Sequence, residues 1–580
     1  MPEHSSPSYD VPPRAAGLPE PPLLARVRDA VIGDDHVMVG PYGPRRVTYA
    51  DYTASGRALT FVEDAIREHV LPLYANTHTE SSGTGLQTTR LREDARQLIA
   101  EAVHGDASTC VIFTGSGTTG AIDTLVGILN LRLPADLDRK YALSQQIPAA
   151  QRPVVLIGPF EHHSNDLPWR ESIADVVTIP EDADGHVDIE QLRRALLRYA
   201  DRPLVIGSFS AASNVTGIVT DTDRVSALLH EHGALACWDF AAAAPYVEID
   251  MNPAGGDPAV RKDAVVLSPH KFVGGPGTPG VLVVRRELLV NSVPHVVGGG
   301  TVAYVNPDEH VYLDDPVRRE EGGTPDIVGS IRAGLVFALK DAVGVTTIRA
   351  HETDYVRRAI QAWSTEPNLE ILGNLAAERL SIVSFVVHRP GGSYLHHNLV
   401  VAILNDVFGI QARGGCSCAG PYGHRLLGID IARSREFERE ITGGCEGIKP
   451  GWVRINFNYF ISEAVFCYLV EAVALVAEHG HLLLTDYRFE PATGLWRHHL
   501  GLVEPPLRLR DLTAGFDGPT QLAPHPTAPE AALAAQLAAA RTLFASRAEA
   551  PPPGPTASLS ADFDHLRWFD LPASCVTDRQ

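Results

Sequence analysis

The sequence predicts an α/β fold, a large and mostly parallel mixed sheet covered on both faces by helices, followed by a smaller α+β unit. Three observations lead there. Short, dense apolar runs alternate with helical patterns from about residue 45 to 335, as in parallel sheets whose crossovers are helices. Loops rich in Gly, Ser, Thr and His follow several of these runs, at the strand ends where open α/β sheets gather ligands. The chain has 580 residues, 44% hydrophobic and 21% charged, enough for several layers of core in more than one domain.

Residues 1–45 read as an N-terminal arm, partly disordered and loosest over the Pro- and Ser-rich first 25 or so. Residues 46–335 form the large domain. Its strand candidates are CVIF (110–113), PVVLIGPF (153–160), PLVIGSFS (203–210), ALACWDF (234–240), DAVVLSP (263–269) and GVLVVRR (280–286). TDTDRVSALLHEHG predicts a helix: a Thr/Asp cluster caps it, Val225, Leu228 and Leu229 share a face, and Gly233 stops it. Residues 336–480 form the small α+β domain, with strands SIVSFVVH and WVRINFN and two long helical patterns. Residues 481–580 form an extension to which the sequence assigns no role. In it YRFEPATGLWRHH predicts a hairpin around Ala492-Thr493-Gly494, 529–547 a helix, PPPGP (551–555) a linker, and HLRWFDLP an aromatic tail able to dock back. No internal repeat is evident.

The net charge is -21, which argues against general nucleic-acid or anionic-membrane binding. No apolar run reads as long enough to span a bilayer. The N-terminus does not read as a signal peptide. Seven cysteines make no disulfide framework. The expectation is a cytoplasmic protein.

The chain uses 44 arginines and five lysines, so a lysine in SPHKFVGGPG (268–277) calls for a reason. Lys271 follows a predicted strand. A lysine whose pKa is lowered by burial or nearby cations can form a Schiff base with an aldehyde; taken alone it would be a surface lysine. Asp239 ends another strand, where a buried acid can keep a pyridinium nitrogen protonated or simply cap a turn. GSGTTG (115–120) lies between a strand and a helix and offers backbone N–H groups and two hydroxyls to a phosphate. Gly115, Gly117 and Gly120 also spell GxGxxG, but no acidic residue closes a following strand at dinucleotide-binding distance. His162, in EHHSNDLPW (161–169), offers a flat ring to an aromatic cofactor; tandem histidines recur at 396–397 and 498–499.

Together, from about Tyr49 to Ala472, these motifs resemble the cysteine desulfurase and selenocysteine lyase branch of the class V aminotransferases. The resemblance implies the fold type I architecture of the pyridoxal 5'-phosphate (PLP) enzymes. It implies Lys271 as the Schiff-base lysine, Ser268 and His270 on the cofactor phosphate, and Thr118 and Thr119 in the phosphate loop. His162 matches the stacking histidine, Asp239 the partner of the pyridine nitrogen, and Asn214 the loop beside the cofactor. Thr324, in EGGTP (321–325), resembles the threonine that reaches the neighbouring subunit's phosphate, which implies a homodimer with active sites at the subunit interface. Arg454 matches the arginine that grips the substrate carboxylate, with Arg413 as a second contact.

ARGGCSCAGP (412–421) is similar to the desulfurase loop in which an arginine precedes the nucleophilic cysteine by five residues, as Arg413 precedes Cys418. Three readings stay open: a catalytic Cys418, two small packed thiols, and a metal site of Cys416, Cys418 and Cys445, whose spacing is not a common zinc pattern. One departure stands out. The desulfurase pattern has a glutamine three residues after the aspartate, where this chain has Ala242. The expected activity is conversion of L-cysteine to L-alanine with a persulfide on Cys418, passed on to a possible sulfur-acceptor protein. The alternatives are a class V aminotransferase, C–S lyase or epimerase acting on another amino acid, and more remotely a non-catalytic scaffold.

Overall fold

The computed structural model describes residues 11–77, 79–253, 256–501, 507–513, 525–550 and 554–576. Seven strands build the large sheet: β1 (Thr109–Phe113), β2 (Val154–Ile157), β3 (Asp175–Thr178), β4 (Val205–Ser210), β5 (Leu235–Asp239), β6 (Ala264–Leu267) and β7 (Val281–Arg285), in the order β1-β7-β6-β5-β4-β2-β3. Only β7 runs against its neighbours. Strands β2, β4 and β7 are buried along their whole length, which explains why they are continuous apolar runs and not alternating ones. The helices α1 (Gly83–Ala102), α2 (Gly117–Ile128), α3 (Thr222–Glu231) and α4 (Ile327–Val343) cover the sheet. The cap expected of the Thr/Asp cluster is Asp221, whose side chain accepts from Arg224 N–H. Where α4 crosses α1, Gly334 of α4 sits so near Ala95 of α1 that a Cβ would stand 2.6 Å away.

The helix α5 (Val345–Trp363) leads to a smaller antiparallel sheet. Its strands β8 (Leu369–Ile371), β9 (Ile382–His388), β10 (Arg413–Gly415) and β11 (Trp452–Asn456) lie in the order β8-β9-β11-β10. Helices α6 (His397–Phe408) and α7 (Glu463–His479) pack on it. The stretch Glu463–Asp486 is, by length and composition, long and apolar enough to cross a membrane, contrary to the sequence reading; 67% of its apolar window is buried inside the protein, so it serves here as a core helix.

The extension joins this second core. Its hairpin, β12 (Tyr487–Glu490) and β13 (Leu495–His498), turns where the sequence places it. The alanine-rich helix α8 runs Ala532–Ala548 and buries Leu533, Leu537 and Phe544. The aromatic tail docks: Phe569 is 2% exposed and Trp568 lies flat against His397 at 5.7 Å and 9°. Of the expected PPPGP linker, 551–553 lie outside the described residues, as do residues 1–10 of the arm. From Val11 on the arm is docked, not loose. Pro12 and Pro19 carbonyls accept from Arg358 and His351 of α5, and Leu24 and Val27 of a helix Pro22–Asp29 are fully buried. Prolines lack an N–H but keep a strong acceptor, which is how this segment binds.

Candidate active site

Strands β1, β2, β4, β5 and β6 end on one edge of the large sheet, and their exit loops surround a cavity of about 540 Å³. Ser116–Thr119, His162, Asn214, Asp239, Ser268, His270 and Lys271 line it from that side. Arg413, Cys418 and Arg454 reach it from the small sheet, where Arg413 and Arg454 are cross-strand partners. Every site residue expected from the sequence lines this cavity except Thr324. The seam is hydrogen-bonded: Ser384 of β9 donates to the Val215 carbonyl at 2.6 Å, and Arg379 Nε to the Thr216 carbonyl at 2.7 Å.

Lys271 follows β6 on a single turn. That turn is pinned by Gly56 N–H donating to the His270 carbonyl at 2.8 Å; a Cβ at Gly56 would stand 1.9 Å from the Phe272 carbonyl oxygen, so only glycine packs there. Burial brings the Lys271 amine down to about 8; Asp239 opposes this, Arg454 and Arg413 add to it, and Asp51 opposes. Asp239 is 4% exposed and accepts from Ala241 N–H at 2.8 Å. Burial pushes it up to about 6, against that bond and Lys271. A cation placed against it would restore the carboxylate.

At the other end of the cavity, Thr118 N–H donates to Ser268 Oγ at 2.8 Å, and the two hydroxyls meet at 2.8 Å. Ser116, the N-cap of helix α2, makes no side-chain cap bond, so apart from the Thr118 N–H held by Ser268 the helix start can take an anion. Gly117 has φ +53°, and a Cβ on it would stand 2.9 Å from Ser268 Oγ. His270 is neutral, brought to about 4 by burial and the Lys271 charge.

His162 is also neutral. Burial, then Lys271 and His163, bring its ring to about 3, and its Nδ1 accepts from Ser164 N–H at 3.1 Å. Beneath it lies a network the sequence reading missed. Buried Glu161 accepts from Ser210 N–H at 2.9 Å and from Asn165 Nδ2 at 2.6 Å, and burial pushes it up to about 7. Trp169 Nε1 closes the network on Asn165 and Ser208.

Arg454 is 3% exposed. Its Nη1 donates to the Asn214 carbonyl and its Nη2 to Asp51, both at 3.0 Å, while its Nε has no partner. Asp51 and Ser55, in DYTASG (51–56), were also missed, although that stretch of turn formers ahead of a helix was there to be read. Ala242 lines the cavity and is 8% exposed. Thr324 accepts from Asn76 Nδ2 at 3.2 Å, outside the cavity; its neighbour Glu321 is buried between Arg92 and Arg96. Among the described residues no group of three or more His, Cys, Asp or Glu is placed to hold a metal, so the metal reading of the cysteines finds no donor set.

Comparison with known proteins agrees with this geometry. The family model for aminotransferase class-V matches residues 48–434. The chain belongs to the class V aminotransferase family. Family members similar to it include the cysteine desulfurase of Dickeya dadantii, 27% identical over 398 residues, 68% of this chain and 88% of that protein. A probable cysteine desulfurase 2 of Mycobacterium leprae is 29% identical over 399 residues, 68% and 87% of the two chains. Among solved structures, the apo cysteine desulfurase of Thermococcus onnurineus NA1 superposes with TM-score 0.59 at 23% identity, covering 74% of this chain and 95% of that one. The cysteine desulfurase CsdA of Escherichia coli gives TM-score 0.58 at 22% identity, covering 78% and 98%. These two carry the fold, the large mixed sheet of the PLP enzymes of fold type I.

The family is PLP-dependent, and so is this enzyme. The residues present fit the cofactor. An uncapped helix start with the Gly117 cradle suits the phosphate, buried Asp239 suits a ring N–H, and the neutral face of His162 suits the ring. The buried Oδ1 of Asn214 has no partner, as expected of a group waiting for a polar ligand.

Proposed function

We propose that the enzyme is a cysteine desulfurase, which takes sulfur from L-cysteine and leaves L-alanine. The observation that carries this reading is the position of Cys418. It sits on a loop that lines the same cavity as Lys271, beside two arginines. Proteins named cysteine desulfurases among the relatives support it.

The residues divide the work as follows. Arg454 binds the substrate carboxylate, with Arg413 as a second contact; both guanidiniums offer forked donors that set orientation better than a lysine would. PLP, when bound through Lys271, supplies an electron sink for bonds at the substrate Cα. Asp239 holds the proton on the ring nitrogen. Neutral His162 excludes water from the ring face. Lys271, uncharged above about pH 8, takes the Cα proton as general base. The Cys418 thiolate attacks the substrate Sγ. A Cys418 S–S bond forms, the Cβ–Sγ bond breaks with its electron pair going to the carbon skeleton, and protonation there yields alanine. Arg454 lies within electrostatic reach of Cys418.

A second reading, aminotransferase, lyase or epimerase on another amino acid, is favoured by Ala242, whose methyl group cannot donate the bond that the desulfurase glutamine makes. The assembly we propose is a cytoplasmic homodimer that hands sulfur to an acceptor protein. Incubating the holoenzyme with L-cysteine and a panel of other amino acids tests the reading. A desulfurase forms alanine, and Cys418→Ser abolishes sulfur transfer while keeping the cofactor's colour. Keto acid as the sole product, or turnover indifferent to Cys418→Ser, selects the second reading.

A further inference from the structure

The loop that carries Cys418 is held down from the large domain by one residue that the reaction does not use. His163 donates its main-chain N–H to the Cys418 carbonyl at 2.8 Å. Its ring Nε2 accepts the Gly420 N–H at 3.2 Å. These two bonds clamp the backbone just C-terminal to the Cα that bears the thiol. Asn214 adds a third, from Nδ2 to the Ser417 carbonyl at 2.9 Å.

The clamped backbone is one the loop would not adopt readily alone. Ser417 has φ +50° and Cys418 φ +56°, the one adjacent pair of non-glycine residues at positive φ among the described residues. Side chains with a Cβ enter that region at a cost, and a strained conformation persists only where its surroundings over-determine it. Glycines are close by in the loop at 414, 415 and 420, so the strain falls on the two residues that the clamp grips.

We infer that His163 is a positioning residue that latches the Cys418 loop over the cavity through a ring nitrogen acting as acceptor. Nε2 accepts only when the ring proton is on Nδ1. The charged and titratable groups that face the ring are Asp166, Arg170, Lys449 and His162. Burial leads in holding the ring neutral, with Asp166 opposing and Lys449 and Arg170 adding to it. His163 also lines a second cavity of about 890 Å³ that shares Thr119 and Ser164 with the first.

The consequence for turnover rests on the desulfurase reading; the latch itself does not. The test uses the holoenzymes of the wild type, His163→Ala, His163→Gln and His163→Met, with Cys418→Ser as a control. Gln presents an acceptor at about the reach of Nε2, and Met has similar bulk without a comparable one. Two readouts are independent of activity: iodoacetamide alkylation of Cys418, read by peptide mass so that Cys416 is not counted, and deuterium uptake by the peptide over 412–421. Both rise in His163→Ala and His163→Met, by roughly five- to tenfold, the population shift set by one lost hydrogen bond. The kcat for L-cysteine falls more than KM rises, and His163→Gln recovers most of each effect. Equal alkylation and uptake in wild type and His163→Met overturns the latch. So does a Gln variant that behaves like Met, which would leave a packing role alone. If His163→Ala does not fold, the Gln and Met pair decides. A wild type that forms no alanine while the loop differences persist sinks the desulfurase reading and spares the latch.

Discussion

Lys271 shows how few groups set the chemistry. Its amine is lowered from 10.5 to about 8, by burial first. The neutral amine is the form that condenses with an aldehyde. Uptake of PLP by the apoenzyme therefore speeds up as pH rises toward about 8 and levels off above it, read as cofactor absorbance in stopped flow; a rate still climbing through pH 10 would place the lysine in an ordinary environment. Lys271→Ala removes the general base and lowers kcat by on the order of 10²–10⁴ or more, with no borohydride-trapped cofactor on any peptide. Lys271 and Asp239 were legible in the sequence because each sits at the end of a dense apolar run, where the strand itself announces the site. Asp51 and Glu161 were not. Asp51 meets Arg454 across 403 positions of chain, and no local pattern encodes such a meeting. Glu161 looks like a loop carboxylate until the fold buries it under Ser210.

The clearest case among the elements is the extension. Its hairpin and helix were readable from turn residues and alanine content, and its docking from the aromatic tail. What it docks on was not, because the seat joins residues of two segments far apart in the chain. Phe569 packs against His396 at 4.6 Å and Phe489 at 5.4 Å. The neighbouring Trp568 stacks on His397, whose ring edge backs the glycines flanking the cysteine loop: a Cβ at Gly414 or Gly451 would stand 3.2 or 2.9 Å from it. The extension is thus part of the small domain's core and braces β10. Phe569→Ala lowers the stability of that unit by about 3–5 kcal/mol, the usual cost of emptying a buried phenylalanine site, read as an earlier urea transition of the apoenzyme by near-UV dichroism. An unchanged transition would mean that the tail is an ornament. The docked arm escaped the sequence reading for a different reason: ahead of the buried Leu24 and Val27 it binds through proline carbonyls, and carbonyls carry no sequence signal.

At the scale of the molecule, the exposed apolar residues are informative. Val290, Val297, Tyr304, Val305 and Val311 are 57–80% exposed, and Gly323, next to Thr324, donates to the Gly299 carbonyl at 2.8 Å beside them. Tyr304, Val305 and Val311 share one hairpin, and exposed apolar side chains gathered on one element mark a surface meant to be covered. The homodimer we propose would cover it and carry Thr324 toward a second site, so sedimentation should give twice the chain mass. Val305→Asp together with Tyr304→Asp should give a monomer. A monomeric wild type would remove the reason for Thr324's place in the motif.

The account as a whole rests on sulfur arriving at one atom. The most direct measurement is peptide mass spectrometry, under non-reducing conditions, of the holoenzyme after L-cysteine is added. The account predicts one additional sulfur on Cys418, matched by alanine, and none in Lys271→Ala. Alanine or keto acid formed while Cys418 stays an unmodified thiol, or sulfur found on Cys416 instead, would contradict it.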